Sequence, residues 1–136
     1  MHTQSMLMTH PSVQGRPSDA IVNCIEQCAD CAATCIQCAD ACLAEDMVAD
    51  LRRCISLDLD CADICTATSR IASRHAGADA RVLHLALQAC AEICRSCAEE
   101  CERHAQMHEH CRICAESCRA CLRACEEAME RLPGLQ

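Results

Sequence analysis

Cysteine carries the chemistry of this chain, and its spacing is regular. Eighteen cysteines include the pairs Cys24/Cys28, Cys31/Cys35, Cys38/Cys42, Cys61/Cys65, Cys90/Cys94, Cys97/Cys101, Cys114/Cys118 and Cys121/Cys125, each four residues apart. Cys54 and Cys111 stand outside these pairs and are left for contacts across helices. On a helix, side chains at i and i+4 sit on adjacent turns with Cβ atoms about 5 to 6 Å apart, so two sulfurs can lean onto one ion.

A sulfur-only site selects soft ions. Cu(I) accepts two or three thiolates and suits a row of two-sulfur clips, whereas Zn(II) asks for four in a tetrahedron. One Cu(I) per thiolate leaves a neutral interior, while each zinc with four thiolates leaves two negative charges to bury. The C-x2-C-x2-C-x3-C-P run of ferredoxins is absent, which ranks iron-sulfur ligation third. Bridges within one helix have poor Cβ geometry, and a reducing compartment disfavours a disulfide framework.

These clips need elements to carry them. Within each group the cysteines step by three, four or seven residues, which holds one face of a 3.6-residue helix and excludes a strand. Four groups predict four helices. Ser18 is placed to cap the first, which runs to about residue 43. Asp46 is placed to cap the second and Gly77 to end it, Asp79 to cap the third to about 105, and the fourth spans about 108 to the residues before Pro133 and Gly134. Short loops force antiparallel neighbours. The expected fold is all-α, an antiparallel up-down-up-down four-helix bundle with a cysteine-lined core over residues 18–132. Residues 1–17 read as a flexible N-terminal tail with Pro11, Gly15 and Pro17, and 133–136 as a C-terminal tail.

Composition supports a metal-filled interior. The chain has 136 residues, enough for one domain. It contains no Phe, Tyr or Trp, and 23 Ala and 18 Cys make up most of its 51% hydrophobic fraction. An ordinary core is therefore ruled out. All 12 basic residues are Arg and the net charge is -8, which disfavours nucleic acid and welcomes cations. No apolar run approaches the roughly 20 residues of a membrane helix. No basic and apolar leader opens the chain, so a cytoplasmic location is expected.

Extending the stripes names the other lumen residues. On the second helix Met47, Leu51, Cys54, Asp58, Cys61 and Cys65 share a face, which places Asp58 among thiols as a hard ligand or proton acceptor. Beyond Cys101 the third stripe continues to His104 and His108, beside Met107. With Cys42 and Met47 they form one mouth, where imidazoles pass copper inward. Ile21, Ile71, Leu83, Leu87, Met129 and Leu132 gather at the other end as an aliphatic plug, so copper is expected through one end only. His2, His10, His75, His84 and His110 read as surface residues, and the tail methionines Met6 and Met8 are left out of the site.

The repeated Cys-x3-Cys units on four helices resemble the bacterial copper storage proteins, and the missing leader resembles their cytosolic branch. The resemblance implies a bundle that fills its core with many Cu(I) ions and assembles as a homotetramer. Storage without catalytic turnover is the expected function, with a copper chaperone or a small thiol as donor. No nucleophile triad, phosphate loop or carboxylate pair argues for an enzyme. A thiol redox protein and a metallothionein-like zinc store are the alternatives.

Overall fold

The computed structural model describes residues 1–132, so the expected tail at 133–136 lies outside the described residues. Among the described residues there are five α-helices and one 3-10 turn, in the order α1 (Thr3–Met8), α2 (Asp19–Leu43), the 3-10 turn Val48–Leu51, α3 (Arg52–Ser73), α4 (Ala80–His104) and α5 (Glu109–Glu130). Helices α2 to α5 form the antiparallel four-helix bundle, in which each helix packs on the next and α5 closes back on α2.

Two of the four expected capping signals hold. The Ser18 side chain accepts from the Ile21 amide at the start of α2, and Asp79 accepts from the Arg81 and Val82 amides at the start of α4. Asp46 does not cap α3. The chain passes through the 3-10 turn first, so the helix starts six residues later, at Arg52. Gly77 does not end α3 either. That helix stops at Ser73 with Arg74 extended, and Gly77 turns the following loop at φ 63°.

The N-terminal segment, expected as a flexible tail, carries a short helix. Thr3–Met8 is helical and packs on α2, with Leu7 buried in the same core as the cysteines. Val13 packs against that core and Pro17 is buried. Single apolar anchors six and then four residues apart carry no sustained helical period, which hides them in the sequence.

The bundle has two kinds of seam. Ile25, Ala32 and Ala39 repeat every seven residues along α2, and the Ile25 carbonyl accepts from the Ser69 hydroxyl of α3 at 3.0 Å, with Ala62 seven residues before Ser69. Ala91 and Ala98 of α4 and Ala115 of α5 are likewise buried, and Arg119 of α5 pairs with Glu102 of α4 at 2.8 Å. Alanine lets the backbones approach closely, and these two consecutive pairs pack most extensively. The α3/α4 seam instead carries polar contacts, Thr68 to the Ala86 carbonyl and Arg53 to Glu100.

Candidate metal centre

All 18 cysteines are free and buried, and they line the bundle axis from one end to the other. Four of the eight i, i+4 clips bring their sulfurs into contact as the spacing predicts, 3.9 Å apart in Cys24/Cys28, 3.8 Å in Cys31/Cys35 and Cys61/Cys65, and 4.0 Å in Cys97/Cys101. They are not isolated two-sulfur clips. Sulfurs from facing helices close in at the same distance, as in Cys28 with Cys121 at 3.6 Å and Cys65 with Cys90 at 3.7 Å.

Sulfurs therefore come in fours. Cys28, Cys90, Cys121 and Cys125 form one group whose members lie within 4.8 Å of one another, and Cys31, Cys65, Cys94 and Cys121 form a second. Cys31, Cys35, Cys61 and Cys118, then Cys35, Cys97, Cys114 and Cys118, and finally Cys38, Cys42, Cys54 and Cys111 continue the series toward the mouth. With metal-sulfur bonds near 2.3 Å, sulfurs stand about 3.8 Å apart in a tetrahedron and about 4.0 Å apart in a triangle. The observed edges suit either. Cys31, Cys35, Cys118 and Cys121 each belong to at least two groups, so a sulfur serving both must bridge.

Cys54 and Cys111 make the contacts across helices expected of them. Cys54 meets Cys101 at 3.6 Å, and Cys111 lies 4.0 Å from both Cys38 and Cys42.

Asp58 is fully buried and faces the lumen, as its register predicts. Its Oδ1 accepts from Cys97 at 3.1 Å, Cys114 at 3.3 Å and Cys101 at 3.5 Å, and Oδ2 lies 3.9 Å from Cys54. Burial, and then the charge of Cys114, push its carboxyl from 3.8 up to about 7. An acid with that affinity can take a proton from a thiol that binds metal at neutral pH. Burial, followed by the charge of Cys54, also pushes the Cys42 thiol up to about 12, so the lumen starts protonated at its mouth and metal must displace the proton.

The histidines are arranged differently from the extended stripe. His104 and His108 do reach the mouth, but their ring nitrogens meet carboxylates, His104 Nε2 with Glu100 at 2.9 Å and His108 Nδ1 with Glu45 at 3.1 Å. His110, read from sequence as a surface residue, is the imidazole on the thiols. Its Nδ1 lies 3.5 Å from Cys38, 3.6 Å from Cys111 and 3.9 Å from Cys42. The stripe fails here because α4 ends at His104 and α5 restarts at Glu109, so register is lost through the turn. The adjacency of His110 to Cys111, in the first turn of α5, was the available signal.

At the opposite end Ile21, Leu87 and Leu132 are buried, and Leu83, Ile71 and Met129 are half-buried. The plug residues do gather, although Ile21, Ile71, Leu83 and Leu132 also line a surface cleft with Arg74 and His75.

Comparison with known proteins agrees with this arrangement. The chain is similar to a structure described as a copper storage protein, Ccsp, from Streptomyces lividans loaded with 10 copper equivalents, with 50% identity, 94% of this chain and 98% of that chain covered, and a TM-score of 0.88. It is also similar to a five-copper structure of a cytosolic copper storage protein from the same organism, at 57% identity over 84% of this chain and 95% of that one, with a TM-score of 0.83. An uncharacterized cysteine-rich protein of Bacillus subtilis (strain 168), YhjQ, is 38% identical over 88 residues, 65% of this chain and 76% of that protein. The profile of the copper storage protein family matches residues 18–130, which span all four thiol-bearing helices, and the chain belongs to that family.

Proposed function

We propose that this protein stores Cu(I) in the cytosol, holding many ions per chain on the thiolates of its bundle interior, with no catalytic turnover. The observation that carries this reading is the sharing of sulfurs between successive four-thiol groups. Isolated zinc tetrahedra need four thiolates each and leave double charges behind, whereas bridging thiolates load densely with a monovalent soft ion and stay neutral. The Streptomyces lividans relatives, described as copper-loaded and in one case as cytosolic, support both the ion and the compartment.

The ligands in this reading are Cys24, Cys28, Cys31, Cys35, Cys38, Cys42, Cys54, Cys61, Cys65, Cys90, Cys94, Cys97, Cys101, Cys111, Cys114, Cys118, Cys121 and Cys125. Asp58 serves as an oxygen ligand or proton acceptor. His104 and His108 flank the mouth and His110 stands inside it, so copper arrives there from a chaperone or small thiol and moves inward onto sulfur. Residues 18–132 form the storage domain, and assembly as a homotetramer is part of the proposal.

An anaerobic Cu(I) titration of the fully reduced protein against a competing chelator tests it. Saturation is expected on the order of 18 ions per chain, near one per thiol. Saturation at one or two ions would sink the storage reading, and displacement of copper by zinc would favour a zinc store.

A further inference from the structure

The thiol-facing imidazole at the mouth is itself held by an acid. Glu45 lies just beyond the end of α2, where its amide donates to the Cys42 carbonyl at 3.2 Å and so ties its backbone to the last thiol-bearing turn. Its Oε2 meets His110 Nε2 at 2.9 Å and His108 Nδ1 at 3.1 Å. The two rings stack with centroids 5.4 Å apart.

A carboxylate only accepts, so each nitrogen on Oε2 must carry the hydrogen. The neutral His110 ring is then the Nε2–H tautomer, and its unprotonated nitrogen is Nδ1, the atom 3.5 to 3.9 Å from the sulfurs of Cys38, Cys111 and Cys42. The opposite tautomer would turn a hydrogen toward those thiols and offer copper no lone pair. Glu100, the other mouth carboxylate, differs. It holds His104 but also pairs with Arg53 and Arg103, each at 3.5 Å, whereas among the described residues Glu45 forms ion pairs with imidazoles alone.

We propose that Glu45 is a positioning residue for copper uptake: it locks His110 as the Nε2–H tautomer and so presents the Nδ1 lone pair to the Cys38, Cys42 and Cys111 sulfurs. Carboxylates that fix ligating imidazoles in this way act through orientation and tautomer, and losing one costs metal sites about 10- to 100-fold. The proposal rests on the reading that this end of the bundle admits Cu(I).

The test uses the full-length reduced protein and three variants, Glu45→Ala, Glu45→Gln and His110→Ala. Long-range proton–nitrogen NMR of the imidazoles in the metal-free protein reads the tautomer. Stopped-flow mixing with one equivalent of Cu(I) in acetonitrile-containing buffer reads the rate, and a full titration reads capacity. Glu45→Ala should give His110 a mixture of tautomers and slow the first phase by about tenfold. Glu45→Gln, whose amide oxygen still accepts from Nε2–H, should restore the single tautomer and bring the rate close to wild type. The double variant Glu45→Ala/His110→Ala should load no more slowly than His110→Ala alone. Wild-type tautomer and rate in Glu45→Ala, or failure of Glu45→Gln to restore either, would overturn the proposal. Capacity separates it from the storage reading: a slow Glu45→Ala that still fills supports both, whereas saturation of the wild type at one or two ions defeats storage, whatever the rates.

Discussion

The two halves of the lumen are built from the same residue type and behave as different solvents for a metal ion. Toward the plug, Cys24, Cys28, Cys61, Cys65, Cys90, Cys94, Cys121 and Cys125 form one network of sulfur contacts, each 3.6 to 3.9 Å long, joined by no oxygen or nitrogen ligand among the described residues. Toward the mouth the sulfur contacts fall into smaller sets. Asp58 Oδ1 joins Cys114 to Cys97 and Cys101, and His110 sits over Cys38, Cys42 and Cys111. Cys31, grouped both with Cys65, Cys94 and Cys121 and with Cys35, Cys61 and Cys118, links the halves. The contrast separates two tasks. In the proposed storage role the inner half would hold copper on sulfur, while the outer half would supply the proton acceptor and exchangeable ligands that let copper replace hydrogen on sulfur.

The largest effect should come from removing sulfur at the inner end. Replacing Cys28, Cys65, Cys90 and Cys121 together by Ala should lower Cu(I) capacity by about four ions or more, since those sulfurs bridge, yet leave the first phase of uptake unchanged. Titration and stopped-flow on the same sample check this. A first phase slowed in proportion would mean that the two halves fill as one.

The next effect is confined to Asp58 and to the metal-free protein. Its carboxyl rises from 3.8 in the unfolded chain to about 7 in the fold, so the folded state holds the proton more tightly. The stabilisation is then complete below pH 3.8 and is lost as the pH rises through about 7. The change amounts to about 4 kcal/mol over that window. Thermal melts of reduced apo-protein should therefore show Tm falling between pH 4 and 8, and Asp58→Asn should flatten the profile. An unchanged slope in Asp58→Asn would move the titration to another group and remove the outer half's proton acceptor.

The smallest effect sharpens the comparison at the rim. His104 and His108 are held by carboxylates rather than seated on sulfur, so replacing both by Phe should slow uptake only severalfold and leave capacity within about one or two ions of wild type. Uptake at the wild-type rate would place the route through His110 alone.

Periodicity made the inner half legible in full, because a three-four cysteine stripe admits one helical face and one lumen. Asp58 was legible for the same reason, since it continues that stripe. Ser18 and Asp79 could be read as caps because their side chains serve amides two or three residues ahead. What could not be read lies where the period is interrupted. Asp46 precedes a 3-10 turn that delays α3, and the α4 stripe does not survive the turn at residues 105–108. His110 reaches the thiols from a flank of α5 beside Cys111, a direction that depends on where the helix restarts. The docking of α1 rests on Leu7, a single residue that only the packed bundle gives a partner.

The two alanine-lined seams join helices that follow one another in the chain. Each thus closes a short segment of sequence, so the α2–α3 and α4–α5 hairpins can assemble quickly, and only the α5 to α2 contact must bring distant residues together. During synthesis the first hairpin can therefore zip up its nine thiols, from Cys24 to Cys65, before the second has left the ribosome. Premature copper would meet a half-built cage whose sulfurs face water, where wrong cross-links between clips compete with closure. The seams let the chain finish folding first and meet its cargo afterwards.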